Sequence, residues 1–167
     1  NREYVMPVML RMMYCCALRP GEPFRLLRDD VDFSKGTIFI RQSKKHKDRT
    51  VWMSEDLFIL CKEYDDAFGA RPFFFTSPTR TMYAPSWLRS QFETCLKKAG
   101  LYDEVPRPRP YDLRHAAASR IILKWLGEGL AQLRCFTASR FILDMRGSQI
   151  PCGICIRFQT TLSATPR

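Results

Sequence analysis

A stripe of apolar residues at helical spacing opens the chain and constrains everything after it. Val5, Val8, Met9, Met12, Met13 and Cys16 recur every three or four positions across residues 3 to 17, which predicts a helix buried along one face. Pro20-Gly21 ends the pattern, since proline has no N–H to offer and glycine accepts a sharp turn. Arg19 therefore stands at the helix end or in the turn just after it, inside Cys16-Ala17-Leu18-Arg19-Pro20-Gly21-Glu22.

A buried helix needs partners, and the rest of the chain offers several. After Phe24, Leu26, Leu27 and the polar step Arg28-Asp29-Asp30, two β-prone runs follow, Thr37 to Arg41 and Thr50 to Met53. They flank a polar, basic loop from Gln42 to Arg49 and predict a hairpin. Ser54-Glu55-Asp56 reads as a helix start with acids in the first turn, running to about Phe68. Phe73-Phe74-Phe75 fits either a short buried strand or an apolar plug. Pro85-Ser86 opens another helix, with Trp87, Leu88, Phe92, Cys95 and Leu96 on one face and Gly100 closing it.

Pro106, Pro108 and Pro110, interleaved with Arg107 and Arg109, form a stiff basic connector. From Asp112 a helix is expected to about Leu126, burying Leu113, Ala116, Ala117, Ile121, Leu123 and Trp125. Arg114 falls in its first turn, where the helix dipole adds to the pull on an anion. The expected fold class is mainly α with a small β-hairpin or sheet, in one domain.

Lys+Arg 27 against Asp+Glu 17 leaves a formal net charge of +10, which favours a polyanionic partner, most commonly nucleic acid, with a basic but otherwise ordinary domain as the alternative. No apolar run approaches the ~20 residues of a membrane helix. Cys15, Cys16, Cys61 and Cys95 sit among apolar residues and read as small core side chains in a reducing, cytoplasmic compartment. Cys152 and Cys155 form a C-x-x-C with no second pair or histidine after it. No metal site is assigned, and no cofactor is expected.

Two forked guanidiniums, Arg19 and Arg114, with a lysine-rich turn between them in sequence, suit a single phosphodiester. Phosphoryl transfer is catalysed chiefly by positioning and charge neutralisation. The bland alternative is also open: Arg19 as a helix-end cap, and Arg114 in a structural bridge with Asp112 or Glu22.

On Ala17-Leu18-Arg19-Pro20-Gly21-Glu22, Lys47-Asp48-Arg49-Thr50-Val51 and Tyr111-Asp112-Leu113-Arg114-His115-Ala116-Ala117-Ala118, the chain resembles the tyrosine recombinases, or phage-type integrases. Leu27 to Phe33 also looks like that family's acid-rich step into its hairpin, and the resemblance covers about residues 4 to 128. It implies the recombinase catalytic-domain fold, double-stranded DNA as partner, and assembly as oligomers on DNA. Arg19 then matches the first catalytic arginine, on a non-bridging oxygen of the scissile phosphate. Arg114 matches the second arginine, and Lys44 the lysine that protonates the leaving 5′ oxygen. Tyr111 stands where the family commonly has histidine; its phenol donates a hydrogen bond but is a poor base. Lys45, Lys47, Arg49 and His115 are expected to contact DNA around these groups. Type IB topoisomerases share this site, and a DNA-binding module without chemistry would share its basic surface.

The resemblance also implies a C-terminal tyrosine nucleophile preceded by Gly-His. This chain's last tyrosine is Tyr111 and its last histidine His115. Past Gly127 the pattern changes: Asp144 is the only acid between residues 130 and 167. Back-translation shifted by one nucleotide is informative. Phe141-Ile142 then allows only tyrosine or histidine, Leu143-Asp144 glycine, arginine or stop, and Asp144-Met145 only histidine or tyrosine. Ile150-Pro151 allows threonine, Cys152-Gly153 tryptophan or arginine, Gly153-Ile154 tyrosine, and Cys155-Ile156 histidine or tyrosine. One permitted path through these junctions is the family's C-terminal pattern. The expectation is thus a catalytic-domain portion over 1–128, an out-of-frame tail over 129–167 without a nucleophile, and a chain that is a piece of a longer product lacking the family's N-terminal DNA-clamping domain.

Overall fold

The computed structural model describes residues 2–41 and 48–127. Lys44, Lys45 and Lys47, the Cys152/Cys155 pair and the whole 129–167 tail lie outside the described residues.

The opening stripe forms α1 (Arg2–Cys15). Its Val5, Met9, Met12 and Met13 are fully buried, and α1 packs on α3 (Glu55–Phe68) and α5 (Asp112–Gly127). The helix ends in a reversal: Leu18 N–H reaches back to the Met13 carbonyl at 3.1 Å, and Ala17 takes a positive φ of 51°. That is the geometry of a Schellman stop, normally given to glycine because a Cβ makes the left-handed region costly.

Two short turns follow, α2 (Glu22–Arg25) and a 3₁₀ turn (Arg28–Asp30), before a three-stranded antiparallel sheet. The strands are β1 (Val31–Asp32), β2 (Thr37–Ile40) and β3 (Arg49–Trp52), ordered β1-β2-β3. Ile38 pairs with Val31 on one side and Val51 on the other, and Ile40 pairs with Arg49. The expected hairpin is therefore β2–β3. The two-residue β1 is an addition, too short for any alternation to announce it. Between β1 and β2 the Asp32 carboxylate accepts from Ser34 N–H at 2.9 Å and Lys35 N–H at 3.1 Å, a local turn device.

Phe73-Phe74-Phe75 turns out to combine both expected forms. Phe73 makes a single bridge with Leu27, while Phe74 and Phe75 are fully buried as a plug. Tyr64 packs on both rings at 5.4 and 5.5 Å between centroids. Arg71 secures this corner, donating to the Phe74 carbonyl at 2.8 Å and lying 3.0 Å from Asp65 Oδ1. Arg28 meets the other Asp65 oxygen at 2.5 Å.

In α4 (Pro85–Lys98), Leu88, Phe92 and Leu96 are buried, with Trp87 and Cys95 partly so. In α5, Leu113, Ala116 and Ala117 are buried, but Leu123 is 67% exposed. Leu123 therefore does not join the core, against expectation, Ile121 is half-buried, and the side chain of Trp125 lies outside the described residues. Among the described residues no helix is long and apolar enough to cross a membrane. No group of three His, Cys, Asp or Glu side chains among them is placed to hold a metal ion.

Candidate functional site

Three stretches distant in sequence, the α1–α2 segment, β3 and α5, converge where α1 stops. The turn after α1 brings Arg19, α2 brings Glu22, β3 brings Arg49 and the first turn of α5 brings Arg114. Glu22 is the organising group. Its side chain is 1% exposed, and its two oxygens take Arg49 Nη1 at 2.8 Å and Nη2 at 2.6 Å, a bidentate pair. The same carboxylate accepts the Arg19 backbone N–H at 2.8 Å and Arg19 Nη1 at 3.2 Å.

Burial by itself would raise the Glu22 pKa. The hydrogen bonds from Arg49 and the Arg19 backbone, together with the two guanidinium charges, win and lower it to about 2. Glu22 is therefore an anion at any pH where the protein works.

Arg114 is 4% exposed, and its Nη1 donates to the carbonyl of Ala17. The left-handed Ala17 thus ends α1 and also anchors a guanidinium from a helix 97 residues away in sequence. Burial first, then the Arg19 and Arg49 charges, disfavour the positive form of Arg114; Glu22 and Tyr111 offset part of that. An arginine stays protonated even so. The three guanidiniums and the Glu22 carboxylate sum to +2 among the described residues, a balance that favours an added anion.

Tyr111 is half-buried just ahead of α5, and its ring meets His115 edge-on at 5.0 Å between centroids. His115 is 3% exposed. Burial lowers its pKa, the Asp112 charge raises it, and the Arg114 and Arg109 charges lower it further. The net direction keeps the imidazole neutral near pH 7. Asp112 takes the Arg109 backbone N–H at 2.7 Å.

Among the expected site residues, then, Arg19, Arg49 and Arg114 are brought together, with Tyr111 and His115 edge to face at the start of α5. Arg49 faces Glu22, and His115 lies inside the fold behind Tyr111. The residue that sequence reasoning under-read is Glu22, offered only as a bridge partner for Arg114 and found paired with Arg49 and Arg19. Its signal was a lone glutamate three residues after Arg19 in an apolar, basic frame.

A helix-rich fold with a small antiparallel sheet, carrying arginines from three elements around one acid, defines the catalytic-domain class of the tyrosine recombinases. The solved structure of XerA recombinase superposes with a TM-score of 0.61 at 19% identity, covering 100% of this chain and 64% of that one. The XerH site-specific recombinase bound to its difH substrate gives 0.57 at 20% identity, over 72% of this chain and 36% of that one. The Tn1549 transposon integrase in complex with transposon right end DNA gives 0.59 at 15% identity, over 98% and 59%. The family model described as "Phage integrase family" matches residues 2–126, and the chain belongs to that family. The integrase/recombinase y4rE protein of Sinorhizobium fredii (strain NBRC 101917 / NGR234) is 33% identical over 130 residues. That match takes in 74% of this chain, which spans 42% of the relative's length.

Proposed function

We propose that this chain is the phosphate-holding part of a site-specific recombinase catalytic domain, binding duplex DNA for integration or excision by strand cleavage and religation. Arg19 and Arg114 hold the non-bridging oxygens of the scissile phosphate. Lys44 is the general acid for the leaving 5′ oxygen, and Tyr111 donates a hydrogen bond beside Arg114. The observation that carries this reading is the +2 cluster, three guanidiniums drawn around the single buried carboxylate of Glu22. A purely structural bridge has no use for the excess charge.

Chemistry needs a nucleophile, and no tyrosine or histidine follows His115. The chain is therefore assigned binding without cleavage, with residues 129–167 an out-of-frame reading of the nucleophile region. Two measurements test this. Duplex affinity should fall steeply with salt, in proportion to the phosphates neutralised, and Arg19→Ala together with Arg114→Ala should flatten that slope. A nicked suicide substrate should trap no covalent adduct; an adduct defeats the assignment. The parent nucleotide sequence tests the tail separately, because a neighbouring frame without the Gly-His and tyrosine pattern refutes the frameshift.

A further inference from the structure

Two residues other than glycine take a positive φ among the described residues, Ala17 at 51° and Arg80 at 59°. Arg80 stands in an exposed turn. Ala17 is 4% exposed, sits between Cys16 and the fully buried Leu18, and lies two positions before Arg19. A Cβ in the left-handed region carries a cost that glycine avoids. Such strain persists where the surrounding structure over-determines the backbone, as functional sites do.

The carbonyl of Ala17 shows what this backbone serves. α1 closes with Cys16 N–H on the Met12 carbonyl at 3.0 Å and Leu18 N–H on the Met13 carbonyl at 3.1 Å. The Ala17 carbonyl stands outside that ladder and accepts Arg114 Nη1. Each partner answers a need of the other: a buried carbonyl requires a donor, and a guanidinium only 4% exposed requires an acceptor. The bond is charge-assisted, so it is strong as well as directional. Beyond Leu18, the Arg19 N–H is held by Glu22 Oε2 at 2.8 Å, and the Arg19 carbonyl accepts the Glu22 N–H at 2.9 Å. One short stretch, residues 17 to 22, thus carries Arg19 and grips Arg114 through its backbone.

We propose that Ala17 is a positioning residue: its left-handed backbone sets the spacing of Arg19 and Arg114, and position 17 admits only residues that hold this conformation. Ala17 acts through Arg114, with no contact of its own to phosphate. The inference rests on the reading above in one respect only, that the two arginines share one phosphate.

Three substitutions separate backbone conformation from bulk. Glycine and asparagine tolerate the left-handed region, whereas valine, β-branched and close to asparagine in size, does not. The side-chain N–H resonances of Arg114, assigned by their loss in Arg114→Ala, report its anchorage without any DNA. They should persist, slow to exchange, in Ala17→Gly and Ala17→Asn and be lost in Ala17→Val. Their survival in a folded Ala17→Val chain overturns the proposal. Their loss in the glycine or asparagine variant overturns it as well, so the test stands even where the valine variant does not fold. In duplex binding, Ala17→Val should cost about tenfold in the parent and under twofold in the Arg114→Ala background, because its effect passes through that arginine. Losses that simply multiply show a general structural role and overturn the proposal. Resonances that follow the backbone as expected, while Arg114→Ala leaves duplex affinity unchanged, support the positioning and defeat the phosphate reading instead.

Discussion

Replacing Glu22 with glutamine removes the one negative charge at the centre of the arginine cluster while keeping its shape. The magnitude follows from the proton. The carboxyl pKa drops from its ordinary value of 4.5 to about 2 in the folded chain, and each unit is worth about 1.4 kcal/mol. The charged form thus contributes roughly 3 kcal/mol at neutral pH, reduced to about 2–3 because Arg19 and Arg49 are partly solvated. Glutamine still accepts a hydrogen bond from Arg49, but three guanidiniums then face one another uncompensated. For a chain of this size Tm should fall by about 5–10 °C at pH 7. The pH dependence is the sharper test. A depressed carboxyl pKa stabilises above its unfolded value and loses that stabilisation as pH falls toward the folded value. The gap between parent and Glu22→Gln in urea unfolding should therefore be full at pH 7, shrink below about pH 4.5 and close near pH 2. Other carboxylates cancel, because only a difference between two proteins is read. A gap under about 0.5 kcal/mol at pH 7, or one that does not close in acid, refutes the claim that Glu22 holds the cluster together.

Three further outcomes are expected. Ala17→Gly relieves the left-handed Cβ at the end of α1; allowing for glycine's extra freedom in the unfolded chain, it should raise stability by up to about 1 kcal/mol, seen as a higher urea midpoint with an unchanged slope. Phe74→Ala empties a fully buried position between Tyr64 and Phe75 and should cost about 3–5 kcal/mol, measured by the same unfolding curves. Burial pushes the Cys16 thiol up to about 12 and raises that of Cys61 as well; mass-mapped alkylation at pH 8 should leave both unmodified until the chain unfolds, with the partly buried Cys15 and Cys95 reacting first.

The local elements were legible because local signals decide them. The stripe of α1, the Pro85 start of α4 and the Asp112 start of α5 each fall within a residue or two of the expected position. Residues whose meaning depends on distant partners were harder to read. Arg49 looked like one more cation in a basic loop, and only folding shows that Glu22, 27 positions earlier, receives it. Arg114 was placed in its helix correctly, yet its anchor is a backbone carbonyl, which no side-chain pattern can announce. Leu123 failed for a related reason: a helical period says which residues share a face, and not how far along that face the neighbours extend.

Two acids in this fold gather arginines, and the contrast between them says what the site is for. Asp65 holds Arg28 and Arg71 in a corner where Arg71 also donates to the Phe74 and Gly69 carbonyls and lies 5.0 Å from the Tyr64 ring centroid. Its cations face aromatic rings and backbone, so the charge is absorbed by the fold it ties together. Around Glu22 the arginines arrive from the α1 turn, β3 and α5, and Arg114 is disfavoured by the two others. Like charges brought to one acid repel one another, a standing cost that fold stability does not require. A ground-state phosphodiester carries one negative charge and cancels half of the +2. The five-coordinate transition state carries close to two and cancels nearly all of it. On the recombinase reading, the cluster is therefore matched to the transition state rather than to bound DNA, which is the condition for lowering a barrier instead of merely tightening binding. That match does not depend on the nucleophile, because the four charged groups that make it, Arg19, Glu22, Arg49 and Arg114, all lie among the described residues.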